Sequence, residues 1–68
     1  MTEIEKINDL SRHRPTDEQE YPITNEFGDG VLFVTPTWME IAYASGRYVY
    51  AEWVGGRFLV SEVQTGAA

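Results

Sequence analysis

The chain has 68 residues, 43% of them hydrophobic, with 5 basic and 11 acidic side chains for a net charge of −6 and no cysteine. That length allows one domain, burying only roughly 60% of the surface its unfolded chain exposes, and 2 Trp, 4 Tyr and 3 Phe exclude the low-hydrophobicity disordered class. Without cysteine there is neither a disulfide framework nor a thiolate zinc site, and the negative charge disfavours nucleic acid and anionic membranes, which select clustered Lys and Arg.

Residues 1–20 hold no aromatic, whereas every Phe, Tyr and Trp falls between Tyr21 and Phe58. The expected organisation is therefore a polar N-terminal arm or surface helix plus loop over 1–20, a folded aromatic β-rich domain over 21–64, and a flexible tail over 65–68. In the arm, Thr2 and Glu5 form a capping box, and Ile4, Ile7 and Leu10 share one side of a helix over 3–10. So short a helix forms only if that stripe docks. Residues 11–22, with two prolines and many polar side chains, read as a loop.

From Tyr21 onward strands dominate. Tyr21–Phe27 is a candidate strand, confined to an edge by Pro22, that pairs across a Gly28-Asp29-Gly30 turn with the apolar run Val31–Val34. Residues 35–46 admit two readings. Pro36, a Thr37/Glu40 capping box and Gly46 as terminator predict a helix at about 37–45. Alternation of Trp38, Glu40, Ala42 and Ala44 against Met39, Ile41 and Tyr43 fits a strand closed by a Ser45-Gly46 turn. A hairpin over 47–54/57–63 closes on Gly55-Gly56, placing Trp53 opposite Phe58, Ala51 opposite Val60 and Val49 opposite Glu62. Tyr48, Tyr50, Glu52 and Val54 share the other face with Arg57, Leu59, Ser61 and Val63. The expected fold class is α+β, a small antiparallel sheet with that hairpin, a short helix at 37–45 and a further helix at 3–10. The alternative is all-β, a five-strand meander or SH3-like barrel.

No constellation of catalytic residues is legible. His13, the one histidine, lies between Arg12 and Arg14 with no orienting partner or companion ligand. Ser11, Ser45 and Ser61 stand outside any nucleophile elbow, and so small a core leaves no cleft that could desolvate a substrate. Gly28-Asp29-Gly30 fails as a phosphate cradle because Phe33 stands where a third glycine belongs, and as a calcium loop because Phe27 and Pro36 replace oxygen ligands. A non-enzymatic protein with no cofactor and no metal is expected.

Asp17, Glu18, Glu20, Glu26 and Asp29 place five carboxylates in thirteen residues with no intervening Lys or Arg, a concentration suited to a basic groove. Tyr48 and Tyr50, with Arg57 nearby, are residue types enriched at protein interfaces and form a second candidate surface. The expected function is a non-catalytic acidic protein-binding module, an inhibitor or adaptor that blocks a basic or nucleic-acid-binding surface of a partner protein, as a possible DNA mimic. In size, acidity and lack of catalytic motif the chain is similar to the small partner-blocking proteins of phages and mobile elements, such as anti-CRISPR and anti-restriction proteins, although no stretch carries a family motif. The alternative is an assembly subunit that oligomerises, for instance as a homodimer, through the hairpin. A winged-helix or SH3-like nucleic-acid binder is disfavoured, because the supposed recognition helix carries Glu40 and no Lys or Arg. Residues 1–6 lack the pattern of a signal peptide, no apolar run approaches the ~20 residues of a membrane span, and the expected location is the cytoplasm, that of a host if the chain is phage-encoded.

Overall fold

A computed structural model of the chain describes residues 1–66; of the tail expected over 65–68, residues 67 and 68 lie outside the described residues. One helix, α1 (Glu3–Arg12), precedes five strands: β1 (Gln19–Asn25), β2 (Gly28–Val34), β3 (Trp38–Tyr43), β4 (Tyr48–Val54) and β5 (Arg57–Gln64). The strands form one antiparallel sheet in the order β1-β2-β3-β4-β5, a meander with β1 and β5 at its edges.

The capping box forms as the spacing predicts: the Glu5 amide donates to Thr2 Oγ1 at 3.2 Å and the Thr2 amide to Glu5 Oε1 at 3.1 Å. The helix runs to Arg12, two residues beyond the expected span, with His13 exposed at its C-cap. Its stripe docks as required, with Ile7 and Leu10 in the core, while Ile4 stays exposed. Ser11 ties the helix to the sheet: its hydroxyl donates to the Ile7 carbonyl at 2.9 Å and accepts from the Phe58 amide at 2.9 Å.

The helix expected at 37–45 is absent. That segment is β3, the central strand, flanked by β2 and β4. The helix-entry signals serve a turn instead: Thr35 Oγ1 accepts from the amides of Thr37 and Trp38 at 3.2 and 3.1 Å, and the Thr35 amide donates to the Trp38 carbonyl at 2.8 Å. A cap contributes about 1 kcal/mol, whereas a central strand gains hydrogen-bonded ladders on both sides and buries Met39, Ile41 and Tyr43 together. Gly46 does adopt a left-handed conformation (φ 97°), at the β3–β4 turn, where a Cβ would come within 2.8 Å of the Gly66 backbone.

Two further expectations shift. The β1–β2 hairpin turns on Glu26-Phe27 between paired Asn25 and Gly28, so Gly28-Asp29-Gly30 lies within β2. The terminal hairpin turns on Gly55-Gly56 as expected, with Trp53 opposite Phe58 and Ala51 opposite Val60. Beyond them an irregularity at Tyr50/Ala51 moves the register by one, so that Val49 faces Val63 and Tyr50 faces Glu62.

The core lies on one side of the sheet, beneath α1. Leu32, Val34, Met39, Ile41, Tyr43, Val49, Ala51 and Phe58 meet Ile7 and Leu10, with Tyr21, Ile23 and Trp53 packed at the margin. Because successive strand residues point to opposite faces, burial of this set fixes the alternate set on the side that α1 leaves bare.

Candidate functional site

The bare face is built from the registers. Glu20, Phe33, Glu40, Tyr50 and Glu62 are direct cross-strand partners and form a row across all five strands, carboxylate and ring alternating. A flanking row holds Trp38, Glu52 and Leu59; the other holds Pro22, Val31, Ala42, Tyr48 and Gln64. Phe33 and Trp38 have ring centroids 5.3 Å apart, and Trp38 stacks on Tyr50 at 5.9 Å, so three aromatics run as a ladder over β2, β3 and β4. All three are half-buried, while Val31 and Leu59 beside them are exposed. The Tyr48 hydroxyl donates to Glu40 Oε2. That bond to a carboxylate, aided by desolvation, pushes the Tyr48 phenol up to about 12, so Tyr48 keeps its proton and orients Glu40 at the centre of the row.

Cations are kept elsewhere. Lys6 lies over the Tyr21 ring on the helix side at 4.8 Å, Arg12 on α1 pairs with Asp9 at 3.8 Å, and Arg14 lies over the Trp53 ring at 4.4 Å. Arg47 is held beneath the helix: its Nη2 and Nε donate to the Glu3 carboxylate at 2.9 and 3.2 Å, and its guanidinium carbon sits 3.8 Å from the Phe27 ring centroid. Only Arg57, opposite Val54 at the hairpin tip, belongs to the bare face, at its corner. Glu20, Glu40, Glu52 and Glu62 are thus four carboxylates among half-buried aromatics, with Asp29 a fifth at the far end of the face and Arg57 its one peripheral counter-charge, a local field of one sign.

The residues expected from sequence to bind a partner are divided by the fold. Tyr48, Tyr50 and Arg57 share the bare face with Glu20. The hairpin face that carries them is covered neither by α1, on the opposite side, nor by β3, alongside in the sheet. Asp17 and Glu18 are exposed in the loop before β1. Glu26 lies in the turn past the far end of β1, and Asp29 sits opposite Thr24 near that end, on the bare face but about 20 Å from Glu18 at 3.3 Å per residue, so the five carboxylates of 17–29 form no single patch. Glu26 accepts from the Glu3 amide at 2.9 Å, completing the helix N-terminus, and Asp29 accepts from the Thr24 hydroxyl at 2.8 Å. Phe33, Trp38, Glu40 and Glu62 are not among the residues expected from sequence to bind a partner; the period-2 alternation over 38–44 carries the signal for Trp38 and Glu40, the hairpin register already places Glu52 beside Tyr50, and Glu62 joins the row through the irregularity at Tyr50/Ala51.

Among the described residues, no group of three or more His, Asp or Glu side chains is placed to hold a metal ion, and no helix is long and apolar enough to cross a membrane. In comparison with known proteins, the chain matches no family model, no curated protein and no solved structure.

Proposed function

We propose that the protein is a non-catalytic binding module, an inhibitor or adaptor, that engages a basic surface of a partner protein through the bare face of its sheet. The observation that carries this reading is the segregation of charge: four carboxylates interleave with Phe33, Trp38, Tyr48 and Tyr50 on one face, while four of the five cations lie off it. Aromatic surface supplies affinity on desolvation and carboxylates supply orientation and a fast encounter. A basic surface that ordinarily binds nucleic acid is the natural target, which makes blockade of nucleic-acid binding the biological effect. The two tryptophans lie on opposite faces, so a Trp53→Phe variant leaves Trp38 as reporter of the bare face alone. Its fluorescence should respond to poly-L-lysine at low salt, weaken as salt rises, and stop responding when Glu40, Glu52 and Glu62 are changed to Gln. An equal response after those substitutions contradicts the proposal.

A second reading, self-assembly, is favoured by β5. This edge strand carries no Pro or Lys and exposes Leu59, Val60 and Val63 at 37%, 42% and 46%, the features that leave an edge open to pairing with another chain. Its test is mass in solution: a dimer by light scattering at high micromolar concentration supports it, and a clean monomer contradicts it.

A further inference from the structure

The molecule displays its own way of holding a guanidinium. Arg47 lies against the Phe27 ring while the carboxylate of Glu3 takes its N–H groups. Arg14 repeats the stacking against Trp53 and donates from Nε to the Pro36 carbonyl at 2.6 Å. In both, an aromatic ring and an oxygen acceptor grip one arginine, the arrangement that a flat guanidinium with in-plane donors satisfies and a compact ammonium does not.

The bare face repeats these components without an arginine of its own between them. Phe33 stands between Glu20 and Glu40, and Tyr50 between Glu40 and Glu62, each a direct cross-strand partner. Adjacent strands are about 4.8 Å apart, so a guanidinium against either ring has a carboxylate within reach on each side. The two rings are two strands apart, about 10 Å. In an α-helix, residues seven apart are about 10.5 Å apart on nearly the same face, whereas same-face side chains of an extended peptide recur at about 7 and 14 Å and miss that interval.

We propose, resting on the binding function above, that this face receives an α-helix of a basic partner protein laid across the strands. Arginines at i and i+7 would sit one against Phe33 between Glu20 and Glu40, the other against Tyr50 between Glu40 and Glu62. Tyr48 serves this site by fixing the carboxylate shared by both positions.

The test uses the full chain carrying Trp53→Phe and three alanine-rich helical peptides of about 18 residues, long enough to hold helix, matched in net charge. One carries arginines seven apart, one lysines at the same positions, and one arginines five apart, on different faces. The first should bind about tenfold more tightly than either other, and Phe33→Leu with Tyr50→Leu should erase that preference. Equal affinities for the lysine peptide or for the five-apart peptide would overturn the inference, as would failure of all three peptides. If poly-L-lysine still moves the Trp38 signal in those cases, the broader binding function stands. If it does not, both fail.

Discussion

Ile41→Ala should abolish cooperative folding at physiological temperature. Ile41 sits at the centre of the central strand, fully buried, opposite Leu32 on β2 and Val49 on β4. Truncating a buried isoleucine to alanine costs about 2–5 kcal/mol through lost burial and the cavity left behind. At 0.05–0.15 kcal/mol per residue, a chain of this length commands only about 3–10 kcal/mol in all. Without a disulfide, nothing else in so small a domain compensates. The milder Ile41→Val should cost about 1 kcal/mol and lower the melting midpoint by roughly 4–8 °C. Circular dichroism melts of the two variants check this. A midpoint unchanged within a few degrees for Ile41→Ala would mean that Ile41 is not in the core and that β3 is misassigned.

Glu3→Gln should be nearly as damaging and should also rewrite the pH dependence of stability. The Glu3 carboxylate is buried and accepts the Tyr43 hydroxyl at 2.7 Å together with the two bonds from Arg47. Removing one partner of a buried pair costs about 3–5 kcal/mol, and the residual exposure of Arg47 brings the expected loss here to about 2–3 kcal/mol. Burial pushes the Glu3 carboxyl up, but the hydrogen bonds from Arg47 and Tyr43 outweigh it and hold the group below 4.5. A carboxyl depressed in the folded state contributes stability that is present above its unfolded value and lost as pH falls through the folded one. The wild-type protein should therefore lose stability below about pH 4.5, and in Glu3→Gln that part of the acid limb should vanish. At the alkaline end, burial foremost pushes the Tyr43 phenol up to about 12, and the bond to Glu40 does the same for Tyr48. Raised values mean that the folded state holds these protons more tightly. Their contribution is intact below the ordinary 10.0 and declines between there and about 12. Urea denaturation across pH 3–11 measures both limbs; an acid limb identical in the wild type and Glu3→Gln would contradict the role given to Glu3.

Local chemistry made the ends of the fold readable and left its middle open. The Thr2/Glu5 box and the Gly55-Gly56 turn declare themselves within four residues of sequence, and both form. Thr35 to Gly46 misleads because its cap residues satisfy two structures equally: a hydroxyl that could cap a helix also closes the Thr35–Trp38 turn, and only pairing with β2 and β4 decides. With the segment taken as helix, Trp38 and Glu40 leave the sheet, and the row they complete disappears from view. The hairpin register makes the shared face of Tyr48 and Tyr50 legible, but whether residues 1–10 or the 37–45 element covers it is decided only by the docking of α1 on the opposite side and the pairing of β3 alongside. Glu62 was displaced by the irregularity at Tyr50/Ala51, which no turn signal announces. Charge density alone pointed to 17–29, but β1 is extended and carries Glu26 and Asp29 away from Asp17, so proximity in sequence becomes distance in space. The Glu3–Arg47 pair, 44 residues apart, left no local trace.

The bare sheet face, rather than the Asp17–Glu18 loop or the helix side, is the surface that should meet a cationic partner. Backbone amide chemical shifts, recorded as a short arginine- and lysine-rich peptide is added at low salt, test it most directly. The largest changes are expected at Phe33, Trp38, Glu40, Tyr50 and Glu62, fading with salt and leaving α1 unmoved. Changes confined to Asp17 and Glu18, or centred on α1, would contradict it.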